Sequence, residues 1–357
     1  MHIKLGNREI GDYKPAFIIA ELSANHNHDY RIAEESIKAA KDAGADAIKL
    51  QTYTPDTITI DCDNEYFRIN HDTLWDGKTL YELYGEAYTP WEWQPKLKKV
   101  ADELDIMLFS SPFDNSAVDF LETIDVPAYK IASFEITDLP LIKYAASKGK
   151  PIILSTGIAT EFDIEDAVKA CRSVGNNNII LLKCTSAYPA PISEANLRTI
   201  PDLAARFGVL SGLSDHTCGI VSPVVAISQG ACIIEKHFIT DKSIGGPDSS
   251  FSLDMNEFKE MVQAIRDAEM ALGDVNYTLS EKVSKNRIFA RSLFITRDVK
   301  QGDLFTSENL KSIRPGYGLS PKYIDAVIGK HAAIDIARGT PLNWDLIITE
   351  DSDKGKL

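Results

Sequence analysis

Eight short apolar runs rich in β-branched residues, at 16–20, 45–50, 106–109, 128–131, 151–154, 178–182, 208–213 and 231–235, punctuate the larger part of this chain. Each is followed by a polar turn and then by a stretch with helical spacing. Their apolarity is continuous rather than alternating, which indicates strands buried on both faces, as in a parallel sheet covered by helices. Eight such units over about 270 residues match a (β/α)8 TIM barrel of the α/β class. An open doubly wound sheet is the alternative, which strand count alone leaves open. The helical stretches agree with either. Asp29 is a natural N-cap for a helix whose apolar face is Ile32, Ile37 and Ala40 and which Gly44 ends; Asp254 caps another, with Phe258, Met261, Val262, Ile265 and Ala268, ended by Gly273.

One interval breaks the rhythm. About 55 residues separate the second and third runs, and the stretch holds Trp75, Tyr81, Tyr84, Tyr88, Trp91 and Trp93. A βα excursion of this length is either a cover over the C-terminal mouth of the barrel or a surface loop stabilised by its own aromatic cluster. Beyond residue 273 the pattern changes to short strand-like runs broken by turns. The expected organisation is therefore a barrel domain at 1–273, a polar linker at 274–286, a small mostly-β domain at 287–349 and a charged tail at 350–357.

Composition narrows the function. Lys plus Arg number 38 against 52 Asp plus Glu, a net charge of −14, so nucleic acid and anionic membranes are poor partners. Any site for a small anion must be locally basic. Five cysteines without a CxxC spacing (Cys62, Cys171, Cys184, Cys218, Cys232) read as reduced core thiols. With no leader-like start and no long apolar stretch, a cytoplasmic protein is expected.

Reactive groups of a barrel project from the C-terminal ends of its strands. There the chain carries Glu21; Lys49 and Gln51; Ser110 and Ser111; Lys130, Ser133 and Glu135; Ser155; Lys183, Thr185, Ser186 and Tyr188; Ser214, Asp215 and His216; then Glu235, Lys236 and His237. Four lysines aimed into one mouth, interleaved with hydroxyls, suit an anion carrying phosphate and carboxylate groups, whereas any single lysine there reads first as a salt bridge to a neighbouring acid. His216 and His237 follow consecutive strands, so a barrel makes them neighbours. Flanked by Asp215, Glu235 and Asp248, they are either ligands of a divalent metal of the Mn²⁺ class or structural histidines. Glu21 is a candidate general base, or else an ion-pair partner of Lys49.

The segments FIIAELSANHN (17–27), AIKLQTY (47–53), SSPFD (110–114), YKIASFEI (129–136), ILSTG (153–157), KCTSAYPAP (183–191), GLSDHT (212–217) and IEKHF (234–238) resemble the sialic acid synthase family. RSLFITRDVKQGDLFTSENLKSIRPGYGLSP (291–321) looks like that family's antifreeze-like SAF domain. The resemblance implies a transferase that joins phosphoenolpyruvate to an open-chain amino sugar, releasing phosphate. It implies that Lys49, Ser111, Lys130, Ser133, Ser155, Ser186, Tyr188 and Ser214 surround phosphoenolpyruvate and that His216 and His237 hold a divalent metal, Mn²⁺ with Mg²⁺ or Co²⁺ as alternatives. Glu21 and Asp248 resemble the acidic catalytic residues and Glu135 a sugar contact, with Gln51 and Asn70 assigned to the same side. Arg314 looks like the arginine that the SAF domain of the partner subunit inserts into the mouth, which implies a domain-swapped homodimer. Segments 244–254 and 73–93, and Ser186 in Thr185–Tyr188, are similar to the pseudaminate branch, implying 2,4-diacetamido-2,4,6-trideoxy-altropyranose as acceptor. The rivals are a legionaminic or N-acetylneuraminic acid synthase and a sugar-binding protein without turnover.

Overall fold

A computed structural model describes residues 1–70 and 75–348. The expected tail at 350–357, and residues 73 and 74 of the aromatic excursion, lie outside the described residues. The chain forms two compact units, Met1–Gly273 and another from Asp274 onward.

The first unit opens with a hairpin that was not evident from the sequence, β1 (His2–Leu5) and β2 (Arg8–Gly11), antiparallel around a Gly6–Asn7 turn in which Gly6 has φ of +58°. Its apolar side, Ile3, Leu5 and Ile10, packs with Phe17, Ile19 and Phe109 of the barrel core. Eight parallel strands follow: β3 (Phe17–Glu21), β4 (Ala47–Thr52), β5 (Met107–Pro112), β6 (Tyr129–Ile131), β7 (Ile152–Ser155), β8 (Ile179–Cys184), β9 (Leu210–Asp215) and β10 (Ile233–His237). The ring closes where β10 pairs with β3, Ile233 against Phe17 through His237 against Glu21. Closure excludes the open doubly wound sheet.

Each expected run is found, but several strands continue past it into polar residues. β10 reaches His237 and β5 reaches Pro112. Ladder hydrogen bonds depend on the backbone, so a strand need not stop where its side chains turn polar. The helices behave as their caps require: Asp29 caps Tyr30–Asp42, and Asp254 forms a capping box with Glu257 ahead of Met255–Leu272. The buried faces are Ala33, Ser36, Ile37 and Ala40 in one and Phe258, Met261 and Ile265 in the other.

The aromatic excursion contains helices Pro55–Ile58 and Leu80–Ala87 and a 3₁₀ turn at Trp91–Trp93. It is tied to the mouth: the Trp91 indole donates to the Tyr53 carbonyl at 3.0 Å, Tyr84 packs on Tyr53, and Trp75 lies 5.9 Å from the Tyr188 ring beyond β8. At the opposite end a cavity of about 550 Å³ is lined by Arg8, Lys41, Lys98 and Lys150 among others. Each of these four cations already has a carboxylate or carbonyl partner, so none of them is free for an anion.

In the second unit β11 (Ser292–Ile295) pairs antiparallel with β12 (Leu310–Ile313), and single bridges such as Val299 to Ile336 extend the β character. Its core is Leu293, Ile295, Val299, Phe305, Leu310, Val327 and Leu342. The stretch expected as a linker carries a short helix, Glu281–Lys285. Among the described residues no helix is long and apolar enough to cross a membrane.

The tightest backbone approach in the ring is at Gly212 of β9, where an added Cβ would lie 2.4 Å from the Ile233 carbonyl oxygen and 2.8 Å from Leu182 Cδ2. Gly212→Ala is expected to destabilise the barrel by about 1–3 kcal/mol or more through overpacking against backbone that cannot yield, read as a lowered denaturation midpoint.

Candidate active site

Alternation along the strands decides which polar residues share the barrel interior. On β10, Glu235 and His237 point inward and Lys236 points out. On β9 Ser214 is inward and Asp215 outward. On β8 Cys184 is inward and Lys183 outward. The inward set forms a continuous chain of contacts. Lys49 pairs with Glu21 at 2.7 Å, donates to Ser111 Oγ at 3.2 Å and lies 3.8 Å from Glu235. Lys130 donates to Ser155 Oγ at 2.6 Å and lies 3.7 Å from the other Glu235 oxygen, which accepts from Ser214 at 2.8 Å. The Gly157 amide donates to Ser133 Oγ at 3.1 Å, and a Cβ on Gly157 would collide with both the Ser133 and the Ser186 hydroxyls, so this glycine lets two serines converge.

These charges are nearly sealed from solvent, with Lys49 3%, Lys130 2%, Glu21 2% and Glu235 5% exposed. Burial therefore dominates their protonation. It pushes the Glu21 carboxyl above its usual range, against the pull of Lys49, and it pulls the Lys130 ammonium down. For Glu235 the two lysines outweigh burial and hold its carboxyl below the usual range. Glu135 sits at the rim with one buried carboxylate oxygen that has no hydrogen-bond partner among the described residues; burial pushes it up to about 7, against the pull of Lys130.

The two imidazoles are neighbours, with ring centroids 5.3 Å apart, and Tyr188 stacks at 4.4 Å on His216. His216 Nδ1 faces the Thr185 carbonyl at 3.0 Å, which leaves Nε2 available. His237 Nδ1 is buried without a hydrogen-bond partner among the described residues, 3.9 Å from Asp248 Oδ2. Burial and the neighbouring His216 hold His237 well below its ordinary value, so it is a neutral imidazole. An orphaned ring nitrogen and a second oriented imidazole fit two ligands of a divalent cation. No group of three or more His, Cys, Asp or Glu side chains among the described residues is arranged to hold a metal by protein donors alone.

Two expectations are corrected. Lys183 and Lys236 do not enter the mouth. Lys183 bonds the Cys184 carbonyl and Thr185 Oγ1, and Lys236 pairs at 2.5 Å with Asp215, its neighbour across the ladder. Both flank an inward residue on the same strand, and period-2 alternation sends them to the other face. Asp215 for the same reason faces away from the histidines. Its carboxylate also accepts from the Thr217 amide at 3.0 Å, and so braces the turn that carries His216. Of the remaining candidates, Gln51 reaches Glu21 at 3.1 Å, Asn70 is exposed in the excursion, and Arg314 is exposed in the second unit. Among the cysteines only Cys171, Cys184 and Cys232 are buried; Cys62 is half-buried and Cys218 exposed.

Residues 36–277 match the NeuB family model, and residues 290–348 match the SAF domain. The chain belongs to the NeuB family. Pseudaminic acid synthase of Helicobacter pylori is 49% identical over 333 residues, 93% of this chain and 98% of that protein. Pseudaminic acid synthase of Campylobacter jejuni is 50% identical over 337 residues, 94% of this chain and 98% of that one. Among solved structures, the N-acetylneuraminic acid (sialic acid) synthetase of Leptospira borgpetersenii superposes with a TM-score of 0.71 at 32% identity, covering 80% of this chain and 95% of that one.

Two interior residues of this NeuB chain escaped the reading of strand ends as sites. Residue order places Glu235 beside the histidines, whereas the structure sets its carboxylate between Lys49 and Lys130, and residue order marks Cys184 only as a core thiol. Cys184 Sγ lies 3.7 Å from His216 Nδ1, and that imidazole, overcoming burial, draws the thiol down to about 7. The signal was present, since each lies two residues from, or in register with, an inward polar residue.

Glu135 yields a test of the electrostatics. Its carboxyl ionises at about 7 in the fold but at its ordinary value of 4.5 when unfolded. The unfolded chain thus releases its proton first, and folding stability falls as pH rises between those values. Glu135→Gln should melt progressively higher than the parent protein through that window and hold a constant advantage above it, followed by thermal melting against pH.

Proposed function

We propose that this chain is a pseudaminic acid synthase, condensing phosphoenolpyruvate with open-chain 2,4-diacetamido-2,4,6-trideoxy-altropyranose and water to give a nine-carbon 2-keto acid and phosphate. The observation that carries the reading is the sealed interior pair Lys49 and Lys130, ringed by serine hydroxyls one turn from two neighbouring imidazoles. Identity near one half to two pseudaminic acid synthases selects the branch.

In this mechanism Lys49 and Lys130 hold the anionic groups of phosphoenolpyruvate, with Ser111, Ser133, Ser155, Ser186 and Ser214 completing the donors and Tyr188 forming a wall. A small anion entering here displaces part of the ion pairing to Glu21 and Glu235, so substrate replaces protein charge. His216 and His237 would hold a divalent cation, manganese by its donor set with magnesium or cobalt as alternatives, supplying Lewis acidity for the sugar aldehyde. C3 of phosphoenolpyruvate attacks the aldehyde carbon, and the positive charge that develops at C2 faces the carboxylates of Glu21 and Asp248. Water then adds at C2. Glu21, whose proton affinity burial has raised, takes one proton of that water and passes it to the sugar alkoxide left by the attack. The tetrahedral intermediate then expels phosphate by breaking its C–O bond, the C2 hydroxyl proton leaving with phosphate as the keto group forms. Gln51 orients Glu21, while Glu135 and Asn70 are assigned to the sugar. We read Arg314 as reaching the sugar from the partner subunit, in a domain-swapped homodimer, with the whole reaction in the cytoplasm.

The decisive experiment offers phosphoenolpyruvate and Mn²⁺ with a panel of acetamido sugars and identifies products by mass spectrometry together with phosphate release. The expected product is pseudaminic acid. Preferential use of a legionaminic or N-acetylneuraminic precursor would move the chain to a sister activity, and ligand-induced stabilisation without phosphate release would make it a binding protein. The swapped arrangement has its own check. Mixing inactive Arg314→Ala and inactive His237→Ala subunits should restore activity, because each mixed dimer then holds one intact site; no recovery after verified subunit exchange contradicts the swap.

A further inference from the structure

The loop that follows β3 is held in an unusual backbone conformation. Ser23, Asn27 and His28 have φ of 47°, 45° and 54°, in the left-handed region where a Cβ crowds the neighbouring carbonyl and glycine is the ordinary occupant. Asn27 uses its position: its side-chain amide donates to the carbonyls of Ile244 at 3.1 Å and Gly245 at 3.2 Å, latching this loop to the one that follows β10. Asparagine also tolerates this region through its short polar side chain. Serine has no such allowance, so the strain at Ser23 calls for a return in side-chain contacts.

Those contacts join the two acids of the site. The Ser23 hydroxyl, on a side chain only 5% exposed, donates to Asp248 Oδ2. It accepts at 3.1 Å from the Gln51 amide, which donates at 3.1 Å to Glu21 as well. The following backbone amide, Ala24, also points to Asp248 Oδ2, at 3.4 Å. Asp248 comes from the long loop after β10 and Glu21 from the end of β3, and the line Glu21–Gln51–Ser23–Asp248 is the connection that sets one against the other.

We infer that Ser23 is a positioning residue: its hydroxyl, presented by a strained left-handed backbone, holds the Asp248 carboxylate in its reactive orientation and ties it through Gln51 to Glu21. The inference rests on the reading of Asp248 as an acidic group that faces the reacting carbons. It separates the backbone demand from the hydroxyl's role, because glycine satisfies the first and lacks the second.

The test compares Ser23→Gly, Ser23→Ala, Asp248→Asn and the double variant Ser23→Gly with Asp248→Asn, using full-length metal-loaded protein, steady-state kinetics and thermal melting. Ser23→Gly is expected to melt above Ser23→Ala, since both lose the hydroxyl and only glycine relieves the strain. Its kcat should fall by about 10- to 100-fold, the loss expected for a hydrogen bond to a charged group, while KM for phosphoenolpyruvate stays within about twofold. Ser23→Ala should lose kcat similarly and melt lower. In the Asp248→Asn background Ser23→Gly should add little further loss, as it does for two residues acting as a unit. A parental kcat in Ser23→Gly beside an impaired Asp248→Asn overturns the role of Ser23 alone. A loss of kcat in Ser23→Gly that persists undiminished in the Asp248→Asn background makes the residue act apart from Asp248 and overturns it too. A parental kcat in Asp248→Asn instead overturns the reading of Asp248 beneath it.

Discussion

Two lysine ammonium groups enclosed within a barrel impose the condition that the rest of the interior meets. Desolvating either would cost several kcal/mol without a partner, and Lys49 and Lys130 are only 3% and 2% exposed. Glu235 lies between them, one oxygen 3.8 Å from Lys49 and the other 3.7 Å from Lys130, and Glu21 pairs with Lys49 from the opposite side. Neither Glu235 contact is a tight bond. A carboxylate shared at long range offsets part of the pair's charge without saturating its donors, and leaves both cations able to turn toward an incoming anion. Tighter pairing would stabilise the protein and obstruct the site.

The same strands carry a second set of charges on their outer face. Lys236 and Asp215 form a close, fully buried pair between the barrel and its helices, next in sequence to His237 and His216. Opposite faces of two adjacent strands thus hold a structural ion pair and a pair of imidazoles, and the first anchors the backbone from which the second projects. The aromatic excursion and the loop after β10 close the mouth from either side, through Trp75 and Phe251 against Tyr188. Water exclusion and charge pairing are therefore produced by elements far apart in the chain.

Much of the barrel was legible from residue order. Continuous apolar runs, Asp29 and Asp254 as caps, and polar residues after each run are local properties, so they predict strands, helices and the mouth without knowledge of contacts. The hairpin at the N-terminus was not, because four-residue strands with half of their side chains in solvent carry too few apolar residues to stand out. The mouth receives fewer lysines than residue order suggests, because strands run past the ends of the apolar runs. Lys183 and Lys236 directly follow their apolar runs while Lys49 and Lys130 lie within theirs, and only the register of the strand fixes which side of the pleat each occupies.

Sequence alone determined the number of βα units, the positions of most strands and helices, the chemical types gathered at one end of the barrel, and the family resemblance, since each depends on composition and order over a few residues or on motifs that survive as strings. Tertiary structure decided closure of the ring, the inward or outward assignment of each charge, the placement of Glu235 between two lysines, and the strained turn that points Ser23 at Asp248. These depend on register between strands and on dihedral angles set by packing, where a shift of one residue exchanges the faces of a strand.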